Sequence, residues 1–185
     1  MKKFFLLLFL GSFLSMGCAG LSKQLEFTDT SSHALVFGYL DTEKSPCNLD
    51  FIEYQQVSPA IDKPYYYMRI DKKAFYREDF VAPGSFKLYQ YGGHPRSIFS
   101  GVSEYDMSFP DTGFGFSIKD PGKIYFLGSW RVVDKGDFFS SNNQIEPLDH
   151  PNELEVLQMI LPDAVGSPWE PVIQNAIRVL SHSAQ

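Results

Sequence analysis

The chain has 185 residues with 16 basic and 22 acidic side chains, which give a formal net charge of −6. That balance excludes a protein that binds nucleic acid through clustered lysine and arginine, because such binding needs a basic surface. The chain has two cysteines, a count that excludes both a disulfide framework and a zinc site built from several cysteines. Its length suits a single domain.

The N-terminal segment has the three parts of a secretory signal. Lys2-Lys3 makes a short positive start, residues 4–10 form an unbroken apolar run, and small residues lead to Cys18. The apolar run is too short to span a bilayer as a mature helix, and a small-residue cut site follows it. We therefore expect residues 1–17 to be a signal peptide that is removed on export.

The stretch Leu14-Ser15-Met16-Gly17-Cys18 resembles the lipobox of bacterial lipoproteins. Gly17 and Cys18 match that pattern, whereas Ser15 stands where leucine is usual. The resemblance implies cleavage before Cys18, lipid on its sulfur and a lipid-anchored place in the cell envelope. In a host with an outer membrane it implies sorting to that membrane, facing the periplasm, because no acidic retention signal follows the cysteine. An ordinary cleaved signal with an incidental cysteine stays open as the alternative.

Behind the anchor, residues 18–32 are small and polar, as is typical of a tether. Residues 33–185 are predicted to form one domain. Once Cys18 carries lipid, Cys47 is the remaining cysteine, and we expect it to be a small buried apolar residue. The open alternative for Cys47 is an intermolecular disulfide in an oxidising periplasm.

The first part of that domain consists of short alternating or apolar runs separated by turn residues. Strands are predicted over 34–40, 49–54, 65–70, 74–76, 80–81, 86–91, 113–118 and 124–133. Pro83-Gly84 and Asp120-Pro121-Gly122 are strong turn signals between them. Short strands at this spacing indicate an antiparallel β-sandwich or barrel, and we expect a β-sandwich over residues 33–133.

The pattern changes after residue 133. Residues 134–149 are polar and predict a loop. Apolar residues at helical spacing then predict one helix over 151–161, which Pro162 ends, and another over 168–181. Ser167 and Glu170 predict a capping box at the start of the second helix. The fold class expected is therefore mainly β, an antiparallel sandwich with two C-terminal α-helices at about residues 150–181.

Two proline-glycine segments carry a further resemblance. Residues 81–88 contain Pro-Gly-Ser-Phe-Lys-Leu, and residues 120–128 contain Pro-Gly-Lys-Ile-Tyr-Phe-Leu-Gly. This pair is similar to one in uncharacterised bacterial lipoproteins whose β-sandwich resembles transthyretin-like and carboxypeptidase-regulatory-like domains. The resemblance covers roughly residues 33–133. It implies a fold and leaves the function open.

The sequence contains none of the common catalytic patterns. It has no G-x-S-x-G nucleophile elbow, no phosphate-binding glycine loop and no calcium loop. Its four histidines, His33, His94, His150 and His182, lack the spacing of metal ligands. We therefore predict no catalytic residues, no metal and no cofactor.

The best candidate for a functional surface is the stretch Pro64-Tyr65-Tyr66-Tyr67-Met68. In a strand, Tyr65 and Tyr67 share one face, and Tyr89 and Tyr91 repeat the same spacing. Exposed tyrosines favour contact with protein or sugar because they combine apolar area with a hydroxyl group. The predicted interaction surface is therefore Tyr65, Tyr67, Tyr89 and Tyr91, and the alternative is that these rings only cover the sheet.

Two kinds of function fit these observations. The favoured one is a non-enzymatic interaction or accessory module, held at the membrane by lipid and contacting another envelope protein. The alternative is an envelope hydrolase or carbohydrate-binding protein that acts on cell-wall or surface glycan. Two carboxylates about 5–10 Å apart in an aromatic cleft would favour the hydrolase.

Overall fold

The computed structural model describes residues 29–45, 47–71, 73–95, 107–108, 115–134 and 143–183. These ranges are mainly β, with two helices at the C-terminal end, as the sequence predicts. The strands are β1 His33–Asp41, β2 Cys47–Ser58, β3 Tyr65–Asp71, β4 Ala74–Val81, β5 Gly84–Pro95, β6 Met107–Ser108, β7 Gly115–Ile118, β8 Ile124–Asp134 and β9 Asn143–Leu148. The helices are α1 Glu153–Ala164 and α2 Glu170–Ser183.

The described strands form one sheet in the order β6-β5-β2-β3-β4-β1-β8-β9, and β7 pairs with the first part of β5. Neighbouring strands are antiparallel except β1 and β8, which run parallel. The prediction of a purely antiparallel sheet is therefore wrong, because these two partners lie far apart in the chain and no hairpin sets their direction. The sheet curls into a half-barrel, and the predicted sandwich is not confirmed.

One face of the curled sheet forms an inner core rich in aromatic rings. Tyr66 stacks on Phe80 with ring centroids 4.5 Å apart, and Phe86 meets Phe80 edge-on at 4.9 Å. These residues come from β3, β4 and β5, so the rings join strands across the curl. The buried members of the inner core are Ala34, Val36, Leu40, Leu49, Ile52, Tyr54, Tyr66, Met68, Phe75, Phe80, Phe86, Tyr91, Ile118 and Val132.

The two helices cover the other face of β1 and β4. Along β1, Ala34 and Val36 enter the inner core, whereas Leu35 and Phe37 face the helices. Burial on both faces explains why this strand has a continuous apolar sequence. From the helices and the turn between them, the residues fully buried in this second core are Val156, Leu157, Ile160, Ala164, Trp169 and Ile173.

A bulge in β8 helps to bend the sheet. One extra residue stands in β8 between Phe126 and Ser129 relative to β1. Gly128 lies there with a φ of 98°, in the left-handed region that favours glycine. Leu127 before the bulge and Trp130 after it both pack on the inner core. The bulge therefore interrupts the two-residue alternation of β8 at Gly128.

Helix α1 starts and ends differently from the sequence prediction. It starts with a capping box, in which the Asn152 side chain accepts from the Glu155 N–H at 3.1 Å and the Glu155 carboxylate accepts from the Asn152 N–H at 2.6 Å. Pro162 lies inside the helix instead of ending it. Because proline has no N–H, the carbonyl of Gln158, four residues earlier, loses its helical hydrogen bond. Gln158 is exposed, so water can bond to that carbonyl instead.

The start of α2 also departs from the predicted capping box. The Ser167 hydroxyl accepts from the Trp169 N–H at 3.2 Å, and the Glu170 carboxylate accepts from the Gly166 N–H at 2.7 Å. The Glu170 carboxylate thus bonds Gly166 instead of Ser167. The Ile173 N–H donates to the Trp169 carbonyl at 2.9 Å, and the helix begins at Glu170, two residues later than predicted.

The predicted loop over residues 134–149 contains strand β9, which pairs antiparallel with β8. Ile145 of β9 packs against the inner core. The remaining positions of this edge strand are mostly polar and include Pro147, as is common at sheet edges, so the sequence shows no alternation there. No helix in the described part of the chain is long and apolar enough to cross a membrane.

Candidate interaction surface

The candidate surface lies on the outer face of β2, β3 and β5. On β3, Tyr66 and Met68 point into the inner core, so Tyr65 and Tyr67 point outward, with 45% and 47% of their surface exposed. Tyr89 on β5 is 41% exposed. These three tyrosines stand in the orientation that the sequence predicts.

Tyr91 is not part of this surface, because only 2% of it is exposed and it packs in the inner core. The cause is a bulge in β5, where Glu53 pairs with Gln90 and Tyr54 pairs with Leu88. Tyr89 is the extra residue between these pairs. The bulge leaves Leu88 and Tyr91 on the inner side, so the two-residue spacing of Tyr89 and Tyr91 does not place them on one face.

The outward tyrosines form two ring pairs. Tyr67 stacks on Phe51 with centroids 4.9 Å apart and planes 25° apart. Tyr65 meets Tyr89 at 4.8 Å with a tilt of 55°. Phe51, Tyr65, Tyr67 and Tyr89 are called the tyrosine face below. The sequence analysis missed Phe51, although it stands two residues before Glu53 on the outward side of β2, and alternation from the buried Ile52 would have found it.

Polar groups lie beside the rings of the tyrosine face. The Gln90 amide donates to the Glu53 carboxylate at 2.8 Å, and Glu53 lies opposite Tyr67 in the pairing of β2 with β3. Desolvation, followed by Tyr89 and the Glu53 charge, raises the pKa of Tyr65. Tyr65 therefore presents a neutral hydroxyl at neutral pH, and the face offers aromatic area together with hydrogen-bonding groups.

A second polar cluster lies at the end of β1. The buried Asp41 carboxylate accepts from Lys73 Nζ at 3.1 Å, from Arg131 Nε at 3.0 Å and from the Glu43 N–H at 3.1 Å. Burial alone would raise the pKa of Asp41, but these hydrogen bonds outweigh it and hold that pKa below its ordinary value. Lys73 also binds Glu43, so this carboxylate pair is bridged by a cation.

That cluster suits a structural tie between strands. General acid catalysis in a glycosidase needs a carboxylic acid whose pKa is raised so that it holds a proton near neutral pH. The pKa of Asp41 is lowered instead, and the cations of Lys73 and Arg131 bind its two carboxylate oxygen atoms. Asp41 therefore lacks the raised pKa of such a general acid.

The other predicted site residues lie wholly or partly outside the described part of the chain. Cys18 and the signal peptide 1–17 fall before residue 29, as does most of the tether 18–32. The side chains of Cys47 and His94 are also outside it. Within the described ranges, no three His, Cys, Asp or Glu side chains come together as a group that could hold a metal ion.

Comparisons of the chain with protein-family models, with curated proteins and with solved structures found no match. The interpretation of the tyrosine face therefore depends on its own residues and their geometry.

Proposed function

We propose that this protein is a lipid-anchored lipoprotein of the bacterial cell envelope that acts as a non-enzymatic interaction module. Lys2-Lys3, the apolar run after them and Gly17-Cys18 support the anchor. Acyl chains on one cysteine would hold the domain firmly, since each buried methylene contributes about 0.8 kcal/mol. In a host with an outer membrane, the module faces the periplasm from that membrane.

The tyrosine face is the observation that carries the interaction role. The helices cover β1 and β4, whereas Tyr65, Tyr67 and Tyr89 remain more than two-fifths exposed on the neighbouring strands. Aromatic residues, and tyrosine in particular, are enriched at binding surfaces, where a few of them supply most of the binding energy. The partner we propose is another envelope protein.

Crosslinking in intact cells tests this role. The double variant Tyr65→Ser/Tyr67→Ser removes two rings of the face, and Met159→Ser on α1 is the control because Met159 is similarly exposed, at 48%. We expect the crosslinked complex to disappear in the double variant and to persist in the control. An unchanged crosslinking pattern in both variants would overturn the interaction role of the face.

Mass spectrometry of the purified protein tests the anchor separately. We expect a mature N-terminus at Cys18 with added acyl mass, and an unlipidated or unprocessed precursor in Cys18→Ala. A mature N-terminus elsewhere would contradict the anchor without bearing on the tyrosine face.

Carbohydrate binding is the second candidate function. The hydrogen-bonded pair Glu53 and Gln90 beside the ring pairs favours it, because sugars bind to stacked aromatic rings flanked by polar groups. The cluster around Asp41 gives the hydrolase alternative no support, because the pKa of that carboxyl is lowered. We also propose, from the two proline-glycine segments at residues 81–88 and 120–128, that the domain is similar to transthyretin-like and carboxypeptidase-regulatory-like domains.

A further inference from the structure

Strand β3 has an open edge next to the tyrosine face. It lies between β2 and β4 in the sheet, and it pairs with β2 from Tyr65 to Arg69. Its ladder with β4 has two residue pairs, Ile70 with Phe75 and Asp71 with Ala74. Ala74 and Phe75 pair with β1 as well, and the rest of β4 pairs with β1 alone among the described strands. Among the described strands, none pairs with the β4-facing edge of β3 over residues 65–69.

The direction of the backbone groups on that edge follows from one hydrogen bond. The Gln56 N–H of β2 donates to the Pro64 carbonyl at 2.6 Å. Backbone groups of alternate residues point to the same side of a strand, so those of Tyr66 and Met68 also face β2. The N–H and C=O groups of Tyr65, Tyr67 and Arg69 therefore point away from β2, toward the open edge.

A side chain occupies one position on this edge. The Arg77 guanidinium of β4 donates to the Tyr67 carbonyl at 2.7 Å, and it also pairs with Asp79. Charged side chains are a common means by which proteins protect an unpaired strand edge. Arg77 thus covers the middle of a five-residue edge of about 17 Å, given about 3.4 Å per residue.

We propose that the partner binds as an extended peptide segment that adds a strand to the open edge of β3. The repeating N–H and C=O groups of Tyr65, Tyr67 and Arg69 match the backbone of an extended polypeptide. The same three residues point their side chains outward, so alternate side chains of the added strand would contact Tyr65 and Tyr67. This inference rests on the proposed interaction function and specifies the chemistry of the partner.

Amide hydrogen exchange, followed by NMR on the full chain in detergent, tests the edge and its occupant. In the free protein, we expect the amides of Tyr65, Tyr67 and Arg69 to exchange faster than those of Tyr66 and Met68. Decapeptides selected for binding from a displayed random library are then added. We expect them to slow exchange at Tyr65, Tyr67 and Arg69, and to lose binding when alternate peptide nitrogens are methylated.

The Arg77→Met variant tests the protecting side chain. An added strand must first displace the hydrogen bond between Arg77 and the Tyr67 carbonyl. Removing the Arg77 guanidinium should therefore tighten peptide binding about fivefold. Arg178→Met is the control, because Arg178 bonds only its helix neighbour Asn175 among the contacts described. Thermal melting of both variants checks that they fold, and the exchange pattern of the wild-type protein tests the proposal even where Arg77→Met unfolds.

Three results would overturn strand addition. The library could yield no binding peptide, a peptide could bind without slowing exchange of the edge amides, or methylation of each peptide nitrogen in turn could leave binding unchanged. Soluble cell-wall glycan fragments that protect the tyrosine face while peptides fail would assign the face to carbohydrate instead. In that case the crosslinking result with Tyr65→Ser/Tyr67→Ser still decides the interaction role on its own.

Discussion

Replacing Ile173 by alanine is the sharpest test of how the C-terminal helix is held. Ile173 is 0% exposed and lies in the second core with Trp169. The change removes three carbon atoms, each worth about 0.8 kcal/mol on burial, and it leaves a cavity between helix and sheet. The free energy of unfolding should therefore fall by about 2–5 kcal/mol, a large part of the roughly 5–15 kcal/mol of a typical domain.

Urea denaturation of the full chain, followed by tryptophan fluorescence, measures this loss. With a slope of about 2 kcal/mol per molar urea, the midpoint should fall by about 1–2.5 M. Val179→Ala on the same helix is the matched control, because Val179 is 52% exposed and its loss should cost less than about 0.5 kcal/mol. A midpoint for Ile173→Ala equal to that of the control would refute the docking of α2 and turn its apolar stripe into a candidate partner site.

Three further predictions concern the strands. Asp41→Asn should lower the free energy of unfolding by about 1–3 kcal/mol at neutral pH, since it weakens the hydrogen bonds to the partly exposed side chains of Lys73 and Arg131. Because the folded pKa of Asp41 is lowered, its charge stabilises the fold above the unfolded pKa of about 4. That stabilisation is lost as the pH falls through the folded pKa, so unfolding curves of variant and wild type should converge in acid. Gly128→Ala should lower the melting temperature, because φ is 98° and the new Cβ would stand 3.1 Å from Trp130 Nε1, a strain of about 1–3 kcal/mol. Tyr91→Ser should destabilise the chain far more than Tyr89→Ser in chemical denaturation, because Tyr91 is buried and Tyr89 is exposed, and equal midpoints would contradict the bulge at Tyr89.

Alternation of side chains was the most informative signal in the sequence. It predicted β3 and most of β8, because strands whose faces differ in burial show that difference in their residues, whereas β1 was predicted from its continuous apolar run. It also placed Tyr65 and Tyr67 together on one face of β3, opposite Tyr66 and Met68, which are buried in the inner core. Helix α1 and α2 followed from apolar spacing and end signals to within a few residues.

Features that depend on pairing between distant strands were not predictable. A bulge adds a residue to one strand relative to its partner, so the positions of Tyr89 and Gly128 are defined only once β2 and β1 lie beside them. The parallel contact of β1 with β8 has the same origin. Local spacing carries no information on which strands become neighbours, and the prediction for Tyr91 was wrong for that reason.

A bulge in β4 explains how one strand supplies two rings to the inner core. Opposite Leu35 of β1, strand β4 has two residues, Glu78 and Asp79, because the register shifts between Ala34 and Val36. This bulge lies on the part of β4 that follows its two pairs with β3, and bulges bend the strand that carries them. Beyond the bulge, Phe80 stacks on Tyr66 in the inner core, although none of the described pairs joins β4 to β3 after Phe75. Phe75 and Phe80 both lie in the inner core although they stand five residues apart, so a variant that removed the bulge would turn Phe80 outward and lose the stacking of those two rings.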